Sequence, residues 1–408
     1  MNKNIDNWYH DFKSNSKNIK IMNNIKEKGV LATCLNKSIV RNNKKSFNLT
    51  TPRIKSYNQK KSNLCWIYSG LKTIIPDICR NMNIKPNKLS LSPTYISFFD
   101  RLEKINEIYN QIINDDNNNL EKIIRLIESR INSCGTFNNF MKIINKYGLV
   151  PIKYMPDFND NYDYNLVDEI LSQTVKINSL KLIEIKNISS SKEALFSEKE
   201  KIMQEMYDLL CKLLGQPPIK FSYTFKNNNK NTKIKNISPF DFASKFLTLK
   251  AEDFITVTTL DINDFFNSYS YFPNLYMKPS EKIKKLSVED INSAIIKQLK
   301  AGIPIWFSAE ISLQRDKENG ILHSNVYKFK DFLNINEIDR NDAFRLGNIN
   351  YDHAMAITGV NILNGKINRY RVDDSLSINS KNDHIVMYPN YFNDFIITLV
   401  FHKNFIDN

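Results

Sequence analysis

Apolar positions in the first third of the chain recur at the three-four spacing of buried helical faces. From Leu64 to Asp77 the pattern is apolar and helical until Pro76, where a proline is expected to interfere by removing a helix donor. In "LSPTYISFFDRLEKINEIYNQII", Tyr95, Phe98, Phe99, Leu102, Ile105, Tyr109 and Ile112 share one face. Ser92 is placed to cap that helix and Pro93 suits its first turn. A further helix around "FNNFMKIINKYG" ends at Gly148, with Pro151 beyond it. Residues 1 to about 55 are polar and mixed and read as an arm on the outside of the fold.

The middle of the chain is less regular. It holds a helix near "KEKIMQEMYDLLCKLLG", stopped by Gly215 and the Pro217-Pro218 pair, and then "KNNNKNTKIKN", which reads as an exposed loop. The last third changes character. "SVEDINSAIIKQLKAG" reads as a capped helix ending at Gly302, and "IPIWFSAE" as a buried strand. Two apolar strands in "HAMAITGVNILNGKINRYRVDDS" flank Asn364-Gly365, a pair suited to a two-residue turn because both positions need positive φ. Helices followed by an antiparallel sheet give an α+β fold class.

Composition narrows the setting. At 408 residues, 42% hydrophobic and 12% aromatic, the chain is globular and long enough for more than one lobe. Its net charge of +14 would favour polyanions, but Lys, Asn and Ile recur throughout the chain and no basic stripe or nucleic-acid motif stands out. A compositional origin therefore outweighs nucleic-acid binding. Five scattered cysteines without a C-x-x-C pair argue against a disulfide framework and a zinc site. The start "MNKNIDNWYHDFK" lacks a signal-peptide core, and no apolar run approaches the roughly 18 residues of a membrane span. The expected setting is cytoplasmic and reducing.

Within this frame "NQKKSNLCWIYSG" is unusual: a basic loop runs straight into Cys65-Trp66 at the head of an apolar helix. Unpaired amides and the dipole of a helix start stabilise a thiolate. A nucleophilic cysteine also needs a base, and of the five histidines only His353 heads a strongly apolar strand. With Asn364 and Gly365 as the turn, paired positions sum to 729, so His353 lies opposite Leu376 and Asp374 opposite Met355. His353 and Asp374 are then diagonal neighbours on one face, about 7–8 Å apart at the backbone. Asp373 points to the other face, and a bulge or one-residue slip would exchange the two acids. Gln59, in the loop before Cys65, could join the Cys65 amide as an oxyanion donor.

Together these segments resemble the bleomycin hydrolase family, the aminopeptidase C branch of the papain-like cysteine peptidases. Gln59, Cys65 and Trp66 in "NQKKSNLCWIYSGL" fall at the family's positions, and "LSPTYISFFDRLEKIN" is similar to the helix that follows there. "SCGTFNNFMKIINKYGLVP" resembles its Gly-Gly-Gln-Trp substrate segment, which makes Cys134 and Gly135 candidate substrate-binding residues. "LGQPPIKFSYTF", "GILHSNVYKFKDFLNI", "DHAMAITGV" and "YRVDDSLS" continue the match in order. The resemblance implies a papain-like two-lobed fold with a helical lobe, an antiparallel β lobe and a helical insertion. Its expected parts are an arm over 1–55, a helical lobe with the cysteine over 56–155, an insertion over 156–285 and a β lobe with His353 and Asp374 over 286–408. It further implies a cytoplasmic thiol aminopeptidase acting on peptide substrates, assembled as a homo-oligomer, a hexamer, with no metal or organic cofactor. In the implied mechanism His353 takes the Cys65 proton, the thiolate attacks the peptide carbonyl, Gln59 stabilises the oxyanion, and water releases the acyl-enzyme. Trp66 packs and does not react.

The chain departs from the family in four places. Asp374 stands where the family has Asn, and its charge should favour the imidazolium. Leu376 and Ser377 replace the Trp and Gly that follow, which puts shielding of the Asp–His bond from water in question. Cys134 and Phe137 replace a Gly and the Trp of the substrate segment, and a Cβ at Cys134 is expected to narrow that site. The chain stops at "FHKNFIDN", short of the family's C-terminal arm, which makes strict aminopeptidase behaviour less secure than peptidase chemistry. The competing expectations are an open-cleft endopeptidase, an acyl transferase using the same three residues, or a catalytically dead binding protein.

Overall fold

The computed structural model describes residues 2–115, 119–188, 191–227, 230–261, 283–336, 338–376 and 384–407. It is a mixed α+β structure. The polar N-terminal stretch is largely helical, with α1 (Asn2–Ser14), α2 (Ser16–Lys28), α3 (Val30–Cys34) and α4 (Lys37–Asn42) mostly exposed. Asn15 caps α2, and Gly29 ends it at φ 82°. This stretch is tied down at Cys34, whose carbonyl accepts the Lys328 amide at 2.8 Å, and by a short strand, β1 (Leu49–Thr50).

The helical core is built on α5 (Cys65–Met82), in which every residue from Trp66 to Cys79 is buried. A helix buried on all sides is held by tertiary packing more than by propensity. That explains why it runs straight through Pro76, contrary to the expected interruption, although a mid-helix proline costs about 3 kcal/mol. Around it pack α6 (Pro93–Asn114), α7 (Leu120–Arg130), α8 (Phe137–Tyr147), α9 (Tyr164–Ile188), α10 (Lys192–Leu214) and α11 (Pro239–Phe246). Ser92 Oγ accepts the Tyr95 amide at 3.0 Å, so the cap expected for α6 forms. The described residues of the polar tract after Pro218 are strand, not loop. They form a two-stranded hairpin, β2 (Phe221–Asn227) with β3 (Lys230–Ile237). Alternate β2 residues Phe221 and Tyr223 are buried against α11, where their rings meet Phe242.

The other half is a sheet ordered β5-β4-β12-β6-β9-β10-β11-β8-β7, with β1 added beside β9. Its strands are β4 (Phe254–Thr258), β5 (Ile283–Lys285), β6 (Ile305–Ala309), β7 (Arg315–Asp316), β8 (Ile321–Leu322), β9 (His353–Leu363), β10 (Lys366–Asp373), β11 (Ile385–Met387) and β12 (Ile396–His402). Strand alternation divides its two faces. Trp306, Ala354 and Val400 pack into the helical core, whereas Phe307, Met355 and Leu399 pack beneath α12 (Val288–Lys300) with Ile291 and Ile295. The N-terminal end of α5 therefore lies against the start of β9. Among the described residues no helix is long and apolar enough to cross a membrane.

Candidate active site

The first turn of α5 is open by construction. Leu64, its N-cap residue, supplies no side-chain cap, and the Ile67 and Tyr68 amides both bond to the Leu64 carbonyl. The amides of Cys65 and Trp66 precede the first intrahelical bond and remain as donors. Cys65 is half-buried while the residues after it are buried. Two contacts dock this helix on β9 and β10. Ser69 Oγ donates to the Ala354 carbonyl at 2.8 Å, and Lys72 Nζ pairs with Asp373 Oδ2 at 3.0 Å in the interior.

These contacts bring Cys65 and His353 to the lining of one cleft, close enough for the sulfur's charge to act on the imidazole. His353 Nε2 lies 2.7 Å from Asp374 Oδ1, which also accepts the Leu376 amide at 2.9 Å, and this leaves Nδ1 as the ring nitrogen free to serve Cys65. The pairing follows from an unexpected cancellation in the hairpin. Asn368 is an extra residue on β10 and Thr358 an extra residue on β9, so the register slips by one and then slips back. Asp373 ends opposite Ala356, as in the unbulged hairpin, and Asp374 reaches His353. Asp373 turns to the opposite face, toward Lys72 and Thr358.

Burial alone would disfavour a charged His353. The negative charges of Asp374 and Cys65, with their hydrogen bonds, outweigh it and push the imidazole up to about 10. Burial would likewise raise Asp374, but His353 and then Arg315 hold it below the usual carboxylate range. The arrangement favours a cationic imidazole at neutral pH. Shielding of this hydrogen bond does not depend on the position after Ser375: Leu376 is 42% exposed, yet the Asp374 side chain is fully buried. Ser377 lies outside the described residues.

Gln59 is buried and fastened to the same strand end. Its amide donates to the Ser375 carbonyl at 3.0 Å, and its Oε1 accepts the Ser375 hydroxyl at 2.5 Å. With Oε1 engaged, Nε2 is the end of the amide available as a donor. Cys134 and Gly135 share with Cys65, Trp66, Trp306 and His353 the lining of a cleft of about 200 Å³. Desolvation, followed by the charge of neighbouring Cys65, pushes the Cys134 thiol up from its ordinary value, and because Cys134 is exposed at the edge of the cleft the desolvation there is partial. A larger cavity of about 530 Å³ between α6 and α7, lined by residues such as Ile112, Lys122 and Leu126, contains neither cysteine nor histidine. The smaller cleft is the one with chemistry.

The cleft wall at 132–135 is held from below. Lys104 Nζ donates to the carbonyls of Cys134 at 2.6 Å and Asn132 at 3.1 Å, and Trp66 Nε1 donates to Ser133 O at 2.7 Å. Gly135 has a steric reason to be glycine: a Cβ there would lie 2.6 Å from the Trp66 indole. Gly135→Ala is expected to displace Trp66, cost about 1–3 kcal/mol of stability and raise KM for peptides. Thermal melts and steady-state kinetics check both. Sequence reasoning missed Lys72, Lys104, Arg315 and Ser375 as supports, because each works through a partner distant in the chain. Among the described residues no group of three or more His, Cys, Asp or Glu could hold a metal ion.

Comparison with known proteins identifies the family and the fold. The sequence model of the Peptidase C1-like family matches residues 1–408. The chain is 26% identical to Aminopeptidase E of Lactobacillus helveticus, over 97% of this chain and 92% of that protein. It is 28% identical to Aminopeptidase C of Lactobacillus delbrueckii subsp. lactis, over 86% of this chain and 79% of that protein. Its fold matches the crystal structure of PepW from Lactobacillus rhamnosis HN001 with a TM-score of 0.89 at 22% identity, covering 100% of this chain and 93% of that one.

Proposed function

Belonging to the Peptidase C1-like family, this chain is a cysteine peptidase, and we propose that it acts as an aminopeptidase of the bleomycin hydrolase type. Cys65 is the nucleophile, His353 the general base and then acid, Asp374 the group that orients the imidazole, and Gln59 the oxyanion donor. The observation that carries the reading is His353 bonded to Asp374 and lining one cleft with Cys65, whose thiol stands at an uncapped helix start.

The chemistry follows from those positions. His353 accepts the Cys65 proton, and the thiolate attacks the scissile carbonyl to form a tetrahedral oxyanion. The Cys65 amide and Gln59 Nε2 donate to that oxygen. The imidazolium then gives its proton to the departing amine, and water, activated by the same imidazole, hydrolyses the thioester. No step calls on a metal or organic cofactor. Peptides are the substrates, and backbone at Cys134 and Gly135 lies where an extended substrate would pass. In the same reading the fold is papain-like and two-lobed, with residues 56–155 and 286–408 facing each other across the cleft and 156–285 inserted. The protein works in the cytoplasm as a homo-oligomer, a hexamer by resemblance.

A timed mass-spectrometric digest of one unstructured peptide, with free and with acetylated N-terminus, tests the aminopeptidase assignment. Stepwise loss from the free N-terminus alone is expected. Internal cuts in both peptides would replace the assignment with an endopeptidase, and transfer to an added amine in preference to water would replace it with an acyl transferase.

A further inference from the structure

Asp374 is gripped by more than the histidine. Its Oδ1 takes His353 and the Leu376 amide, and its Oδ2 is paired with the Arg315 guanidinium. The side chains of Arg315 and Asp374 are 1% and 0% exposed, so this ion pair lies wholly inside the protein. We propose that Arg315 is a positioning residue of the site, a buried cation that fixes the Asp374 carboxylate and sets how much of its charge the imidazole feels. The inference rests on the reading of Cys65 and His353 as nucleophile and base.

The first support is geometric. A carboxylate held only through Oδ1 could turn about its own axis, whereas donors on both oxygens leave one orientation. Arg315 is itself firmly placed. It pairs with Leu322 across β7 and β8, and its carbonyl accepts the Tyr327 hydroxyl at 3.3 Å. Gln314 clamps the same tyrosine, donating to its carbonyl at 3.1 Å and accepting its amide at 3.0 Å.

The second support is charge. A thiolate, an imidazolium, a carboxylate and a guanidinium sum to zero, which suits a cluster in which the last three are buried. Without Arg315 the imidazolium would face an uncompensated acid and release its proton less readily. Among the described residues, the other titratable groups around the cluster include Tyr391 from the helix Pro389–Phe395, Glu310 after β6, Asp352 before β9 and Cys134 beside Cys65. Tyr391 is kept neutral by burial and donates its hydroxyl to the Glu310 carbonyl. Asp373, with Lys72 and Arg371, occupies the opposite face of the strand. Arg315 thus joins the His353 imidazolium as a cation in direct contact with Asp374.

The test uses the full chain as wild type, Arg315→Met, Asp374→Asn and the double variant. Alkylation of Cys65 by iodoacetate, read by peptide mapping across pH, reports the thiolate–imidazolium pair without requiring peptide hydrolysis. Arg315→Met should move the alkaline limb up by about one pH unit. Asp374→Asn should move it down, and adding Arg315→Met to that variant should raise it again. A limb unchanged in Arg315→Met, whatever its melting temperature, would reduce Arg315 to a structural residue and overturn the proposal. Should Arg315→Met not fold, the double variant, which buries no unpaired charge, is compared with Asp374→Asn, and coincident limbs overturn it equally. Shifted limbs without peptide cleavage would support Arg315 while contradicting the peptidase reading. Cleavage with unshifted limbs would contradict Arg315 alone.

Discussion

Cys65→Ala is expected to lower peptide hydrolysis by about 10⁴-fold or more, with the fold intact. Removing the sulfur deletes the atom that forms the acyl-enzyme, and no neighbouring group replaces it. Cys134 lines the same cleft, but it lies in irregular chain instead of at a helix start, and its thiol is pushed up from its ordinary value. The fold should tolerate the change, because Cys65 is only half-buried at the end of a helix held by its later turns. Initial rates on a fluorogenic peptide, with a circular-dichroism melt of the same sample, measure both. Hydrolysis within tenfold of wild type would mean that a different group carries the reaction.

Lys72→Met should produce the largest loss of stability, about 3–5 kcal/mol, because it leaves Asp373 buried without its closest counter-ion. The two side chains are 4% and 7% exposed, and Arg371, at 3.8 Å, is too far to replace the lost contact fully. Burial alone would raise Asp373, but Lys72 and Arg371 outweigh it and hold it below its ordinary value. A carboxyl depressed on folding contributes stability above its unfolded pKa of about 3.9, and that stability is lost as pH falls below it. The variant should therefore show a weaker acid dependence as well as a lower urea midpoint. Lys72→Met with Asp373→Asn should recover part of the loss. A midpoint within experimental error of wild type would show that the pair does not dock α5 on the sheet.

The parts of this site legible in the sequence were those encoded locally. Cys65 is announced by a polar loop entering an apolar helix, and His353 by the Asn364-Gly365 turn that fixes its strand. The reach of His353 to Asp374 follows from counting along that hairpin, but the count holds only because bulges at Asn368 and Thr358 cancel. Nothing in the sequence pattern announces either bulge. Arg315 was hidden for a different reason. It comes from a two-residue strand in a loop-like stretch, and its partner is 59 positions away. The helix through Pro76 and the β2–β3 hairpin show the same limit in the fold. Burial on every side overrode a helix breaker in one, and contacts to Phe242 ordered a polar tract in the other.

The most direct measurement is an intact-mass and peptide-mapping search for the acyl-enzyme, using wild-type protein quenched in acid during turnover of an activated amino-acid ester. The account predicts a mass increase equal to one aminoacyl group, located on the peptide containing Cys65 and lost on longer incubation. Turnover with no adduct at any time, or an adduct on Cys134 or another residue, would contradict it.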